Sequence, residues 1–154
     1  MTNEVEIINF ETQYSKEFYN LNIEWLETYF YVEPYDQKVL GNPKAYIIDK
    51  GGYIFFAKMN DQIIGTVALI YDKECYELSK MAVLPKYQGL KIGQNLMDYC
   101  VNFSIQKGWK KIKLYSSTKL EPALNLYRKI GFKEVALEKN VHYARSDIKM
   151  ILEL

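Results

Sequence analysis

Only one histidine, His142, and two cysteines, Cys75 and Cys100, occur among 154 residues. A histidine-built metal centre therefore has no ligand set, and a Cys–His nucleophilic pair would have to rely on that single imidazole. The cysteines stand far apart, with neither knuckle spacing nor a disulfide framework, and read as reduced thiols. No metal is expected. No apolar run approaches the roughly 18 to 20 residues of a membrane span, and the opening Met-Thr-Asn-Glu-Val-Glu lacks the basic and apolar regions of a secretory signal. The expectation is a cytoplasmic protein with no membrane role. Neither sign of charge dominates: Lys plus Arg number 20 against 19 Asp plus Glu. With no basic stripe carrying interleaved aromatics, nucleic acid is not an expected partner. Repeats, low-complexity tracts and linkers are also missing, so residues 1–154 are read as one domain.

What the chain has in quantity is apolar and aromatic residues, 49% and 15%, with Tyr accounting for 14 positions. Its organising stretch runs from Tyr76 to Gly108. Leu78, Met81 and Val83 read as a strand that stops at Pro85, which cannot donate to a ladder. Gln88-Gly89-Leu90-Lys91-Ile92-Gly93 then forms a glycine-containing loop. Ile92, Leu96, Met97, Cys100 and Val101 recur at helical spacing up to Gly108. A strand leading through such a loop into a helix N-terminus makes a cradle of N–H groups at the positive end of the helix dipole, which is an anion site suited to phosphate.

Around this unit, Val5 to Phe10 suggests a short strand, and Phe10 through Phe30 a long helix with an aromatic face. Tyr35 to Leu40 reads as a second helix. Tyr46–Ile48, Tyr53–Met59 and Ile63–Tyr71 are β-rich runs, the last two joined closely through Asn60-Asp61. Lys110–Ser116 reads as a strand, Glu121-Pro122 opens a helix that Gly131 ends, and Phe132–Leu137 and Asp147–Leu154 read as final strands. A meander followed by alternating helices and strands predicts an α/β fold with a mixed sheet.

The loop resembles the cofactor-binding motif of the GNAT superfamily of N-acetyltransferases, with Gln88 and Gly93 at its outer positions. Lys91 stands where the family usually has the middle glycine. The stretch Glu121–Phe132 resembles the second signature of that family, matched by Ala123, Leu126, Tyr127, Gly131 and Phe132. Leu120 stands where an Asn is frequent, so Ser116, Ser117, Thr118 or Asn125 are candidates to serve the cofactor instead. The resemblance implies a GNAT fold of six to seven strands with about four helices, splayed at a cofactor cleft. It also implies acetyl-CoA as cosubstrate, bound along the backbone of Met81, Ala82 and Val83, with its pyrophosphate on the amides of Gln88, Gly89, Leu90, Lys91, Ile92, Gly93 and Gln94.

The implied activity is direct acetyl transfer to a primary amine in a ternary complex; the alternative is a non-catalytic acyl-CoA-binding or sensing domain. An alkyl amine is mostly protonated at pH 7, the intermediate needs an oxyanion donor, and the thiolate gains from a proton donor. Glu77 is the candidate base, acting directly or through water, with a paired surface carboxylate as the plain alternative. The Val83 N–H is the candidate oxyanion donor. Tyr127 is the candidate acid, with a core aromatic as its alternative. Tyr29 and Phe30 are candidates for an acceptor wall. Arg145 is a candidate for holding an acceptor carboxylate and Glu33 or Asp36 for attracting an ammonium. A homodimer through an exposed final strand is a further expectation.

Overall fold

The computed structural model describes residues 4–154; part of the N-terminal hexapeptide read for a secretory signal, residues 1–3, lies outside them. The elements follow in the order β1 (Glu6–Asn9), α1 (Ser15–Tyr29), α2 (Pro34–Gly41), β2 (Tyr53–Met59), β3 (Gln62–Tyr71), β4 (Tyr76–Val83), α3 (Ile92–Gln106), β5 (Lys111–Ser116), α4 (Glu121–Ile130), β6 (Lys133–Val135) and β7 (Ile148–Glu153). They build a mixed sheet of seven strands in the order β1-β2-β3-β4-β5-β7-β6. Short 3-10 turns precede α1 and follow β4. No helix of the described residues is long and apolar enough to cross a membrane.

Strand alternation sends successive side chains to opposite faces, and each face acquires its own core. On β2, Ile54 and Phe56 pack with Phe18, Leu21 and Leu26 of α1 and Val39 and Leu40 of α2. Phe55 and Ala57 turn the other way, toward Ile92, Leu96, Met97 and Cys100 of α3 and Leu124 of α4. β3 is covered on both faces and is therefore buried almost throughout. Gly65 lets α3 approach it, because an added Cβ would meet Ile92 and Leu96 side chains at 3.2 Å.

Two expectations are corrected here. Residues Lys44–Ile48 form a π-helical turn, not a strand. Only Ile47 of that turn is fully buried, and its carbonyl accepts the Gly52 N–H at 2.8 Å, so the backbone satisfies itself locally and no neighbouring strand is needed. The final strand is not exposed either: β7 pairs with β5 on one side and β6 on the other. The open edge at that end belongs to the three-residue β6. Short edges of this kind are poor templates for pairing.

The sheet splits at its centre. β4 and β5 are parallel and paired only at Tyr76↔Ile112 and Glu77↔Lys113. Beyond Glu77 the two strands part while β5 continues alongside β7. The cause is local. The β3 register jumps from Ala68↔Ser79 to Thr66↔Ala82, which leaves Lys80 and Met81 opposite Val67 alone. Lys80 adopts a left-handed backbone, φ 56°. Such a bulge bends its strand and increases its twist, carrying the end of β4 away from β5.

Candidate active site

One wall of the resulting gap is bare backbone. Leu84 N–H donates to Ile64 C=O at 2.8 Å. By the two-residue period, the N–H and C=O of Val83 therefore point away from β3 and into the gap, and Met81 shares that orientation. The Gln88 side chain reaches the same edge, its Nε2 donating to Val83 C=O at 3.4 Å. Ala82, by contrast, directs its backbone to β3, where it pairs with Thr66.

α3 begins beside this edge, since an added Cβ on Gly93 would stand 3.8 Å from Met81 Cε. Its first internal bond runs from Asn95 N–H to Lys91 C=O at 3.0 Å. Among the described residues, the N–H groups of Gly89 to Gln94 have no backbone acceptor. Gln88 differs from the expectation, because its N–H is already engaged with Pro85 C=O at 3.2 Å. Lys91 caps the helix in the left-handed region, φ 61°, following Gly89 at φ 88°. A residue with a Cβ is held there at about 1 kcal/mol. The loop thus keeps the shape a glycine would take freely, and its free amides lie at the positive end of the helix dipole.

Tyr127, on α4, lies beside the Ser116 side chain at the end of β5. Burial pushes the phenol up to about 12, with Ser116 pulling the other way. The group keeps its proton throughout the neutral range and remains a donor. Glu77 lies at the vertex of the split, on the last β4 residue still paired with β5. Burial raises its carboxyl above the usual range, opposed by Lys80, Lys113, a hydrogen bond from Ser79, and His142.

The acceptor-side charges are arranged differently from the expectation. Arg145 donates to Glu33 Oε2 at 3.0 Å and to Asp36 at 2.8 and 2.9 Å. The Ala144 N–H adds a bond to Glu33 Oε1 at 3.1 Å. Glu33 and Arg145 therefore lock the connection between β6 and β7 onto the start of α2; they do not face the gap as free charges of opposite sign. Tyr29 and Phe30 end α1 in an aromatic group with Trp25, at ring separations of 5.3 and 5.7 Å. Lys119, from the connection between β5 and α4, lies 5.6 Å above the Phe30 ring. That contact joins the end of α1 to the far lip of the split.

Lys80 was not singled out by the sequence reading. It is partly buried, it donates to the Tyr143 hydroxyl, and its Nζ stands 4.2 Å from the centre of that ring. A signal was present: the apolar positions Leu78, Met81 and Val83 are spaced by three and then two, and an odd step within a strand marks a bulge. Two surface hollows lie away from these residues. One of about 510 Å³ runs along Tyr14, Leu21, Ile63 and Leu84, and another of about 370 Å³ along Phe10, Ile48 and Phe55. Neither is lined by Glu77 or Tyr127.

The family model described as the acetyltransferase (GNAT) family matches residues 9–132. The protein named Probable N-acetyltransferase camello from Xenopus tropicalis is 26% identical over 98 residues, covering 62% of this chain and 45% of its own. The chain thus spans less than half the length of that curated relative. A GNAT-family acetyltransferase from Staphylococcus aureus Mu50 superimposes with a TM-score of 0.85 at 23% identity, covering 97% of this chain and 99% of its own. The PaiA N-acetyltransferase from Thermoplasma acidophilum, in complex with coenzyme A, gives a TM-score of 0.77 at 21% identity, covering 98% and 99%. Given a family match across both the split strands and the loop before α3, this chain belongs to the acetyltransferase (GNAT) family.

Proposed function

We propose that the protein moves an acetyl group from acetyl-CoA to a primary amine by direct attack within a ternary complex, and that residues 1–154 act as one domain. The observation that carries this reading is the bare β4 edge ending beside the free amides of Gly89 to Gln94. An extended, amide-bearing chain with a pyrophosphate at one end matches both features: the gap-facing groups of Met81 and Val83 would pair with the amides, and the cradle with the phosphates. Acetyl-CoA supplies the activated acyl group when bound.

The chain's own groups divide the remaining work. Glu77 takes the proton from the incoming ammonium, directly or through water. Its raised affinity for protons narrows the mismatch with an alkyl amine. The Val83 N–H stabilises negative charge on the carbonyl oxygen. Tyr127, protonated at all neutral pH values, donates to the departing sulfur. Tyr29 and Phe30 form part of the acceptor's wall.

A thermal-shift titration with acetyl-CoA, free CoA and ATP, followed by CoA-thiol release against a panel of amines, tests the reading. Stabilisation by both CoA species and not by ATP, with release on at least one amine, is the expected result. Stabilisation without release on any amine would move the assignment to a binding or sensing domain.

A further inference from the structure

Charges at the acceptor end fall into two sets. Arg145 is bonded to both Glu33 and Asp36, a cluster with one surplus negative charge, and the Asp36 side chain is fully buried. Glu77 and Lys80 are left over. Among the described residues neither has an oppositely charged atom within 4 Å, as the ion pairs of the structure do not include them. Lys80 has one hydrogen-bond partner, the Tyr143 hydroxyl, for three N–H donors. Both side chains are partly buried, and burial acts against each charge, raising Glu77 and lowering Lys80 to about 8. A carboxylate and an ammonium in one protein cleft would ordinarily close on each other. These two make no ion pair, and the bulge holds Lys80 in a left-handed backbone.

We propose that Lys80 anchors an anionic group of the acceptor, so that the acceptor is an α-amino acid or a close analogue with its amine at Glu77 and its carboxylate at Lys80. The inference rests on the acetyl-transfer reading. Two opposite charges that do not touch each other are complementary to a zwitterion placed between them. Each would recover in the complex the pairing it lacks without ligand. A polyamine would instead bring a second ammonium toward Lys80, a like charge in a poorly solvated site. The wall is aromatic on the same side: Tyr35 stacks on His142 at 4.8 Å and Tyr143 lies 5.6 Å from Tyr35. Arg145, Glu33 and Asp36 take no direct part, because their mutual bonds already satisfy them.

Thiol release is to be measured on the twenty amino acids, on their carboxamides, and on alkyl amines of matching skeleton. A preferred amino acid should exceed its carboxamide at least tenfold in kcat/KM. Lys80→Met should raise KM for the free acid at least tenfold beyond any change in KM for the carboxamide, while the acid limb for both acceptors moves up because Glu77 loses the ammonium that opposes its raised proton affinity, and Lys80→Arg should recover part of the loss. Equal use of acid, amide and alkyl amine by the unaltered protein would overturn the anchor while leaving acetyl transfer intact, and so would an equal loss on all acceptors in Lys80→Met. If no amine releases thiol, the acetyl-transfer reading fails. Thermal stabilisation of the CoA complex by an amino acid but not by its carboxamide would then still support the anchor, and its absence would overturn both.

Discussion

Arg145 and Asp36 are joined by paired hydrogen bonds, Nη1 to Oδ2 at 2.9 Å and Nη2 to Oδ1 at 2.8 Å, and the Asp36 side chain has no exposed surface. Asp36 Oδ2 also accepts the Glu33 N–H at 2.9 Å, so one carboxylate both caps α2 and fixes the connection before β7. Truncating the guanidinium would leave that carboxylate buried without its counter-charge. Arg145→Met should lower the unfolding free energy by about 3–5 kcal/mol, read from urea denaturation. A variant of unchanged stability whose acceptor KM alone rises would return Arg145 to substrate binding.

Tyr127 holds its proton up to about 12. Tyr127→Phe keeps the ring that packs 6.2 Å from Phe132 and removes only the hydroxyl. Turnover should fall roughly 100-fold, with acetyl-CoA affinity unchanged by calorimetry. Equal turnover in the two proteins would take the hydroxyl out of the mechanism.

Glu77 has a raised proton affinity because burial disfavours its charged form. The acid limb of kcat/KM should therefore lie above the ordinary carboxylate value of about 4.3, and Glu77→Gln should abolish or displace that limb. The sign for stability is opposite: the neutral form is favoured on folding, so this contribution is present below the unfolded pKa and lost as pH rises through the folded one. Glu77→Gln should thus be the more heat-resistant protein at pH 7 and lose that advantage toward pH 4. An unaltered pH–rate profile would reject the base.

Lys91 at φ 61° is strained where glycine is not. Lys91→Gly relieves about 1 kcal/mol of left-handed strain and adds about 0.5–1 kcal/mol of unfolded-state freedom. Melting should shift by no more than a few degrees, while affinity for CoA stays within about threefold. A loss of binding beyond tenfold would mean that the lysine charge, not the backbone shape, holds the anion.

The sequence by itself determined the parts governed by short-range rules. Gly89 before a helix start, Pro122 at the opening of α4 and Gly131 at its end act through backbone conformations that neighbours scarcely alter. The two motifs around Gln88–Gly93 and Tyr127 were legible for the same reason, as was the mixed sheet, since strand and helix periodicities are local. Lys44–Ile48 was misread because Ala45, Tyr46 and Ile47 look apolar enough for a strand, while the bond from Gly52 N–H to Ile47 C=O that fixes the turn is not visible in composition. Only the tertiary structure decided which charges meet. Arg145 lies more than a hundred positions from Glu33 and Asp36, and their pairing depends on the connection before β7 folding across α2. It likewise set β7 inside the sheet, and it gave Lys80 its place. Strand pairing and the desolvation of a charge are properties of what surrounds a residue, and the surroundings are assembled from distant segments.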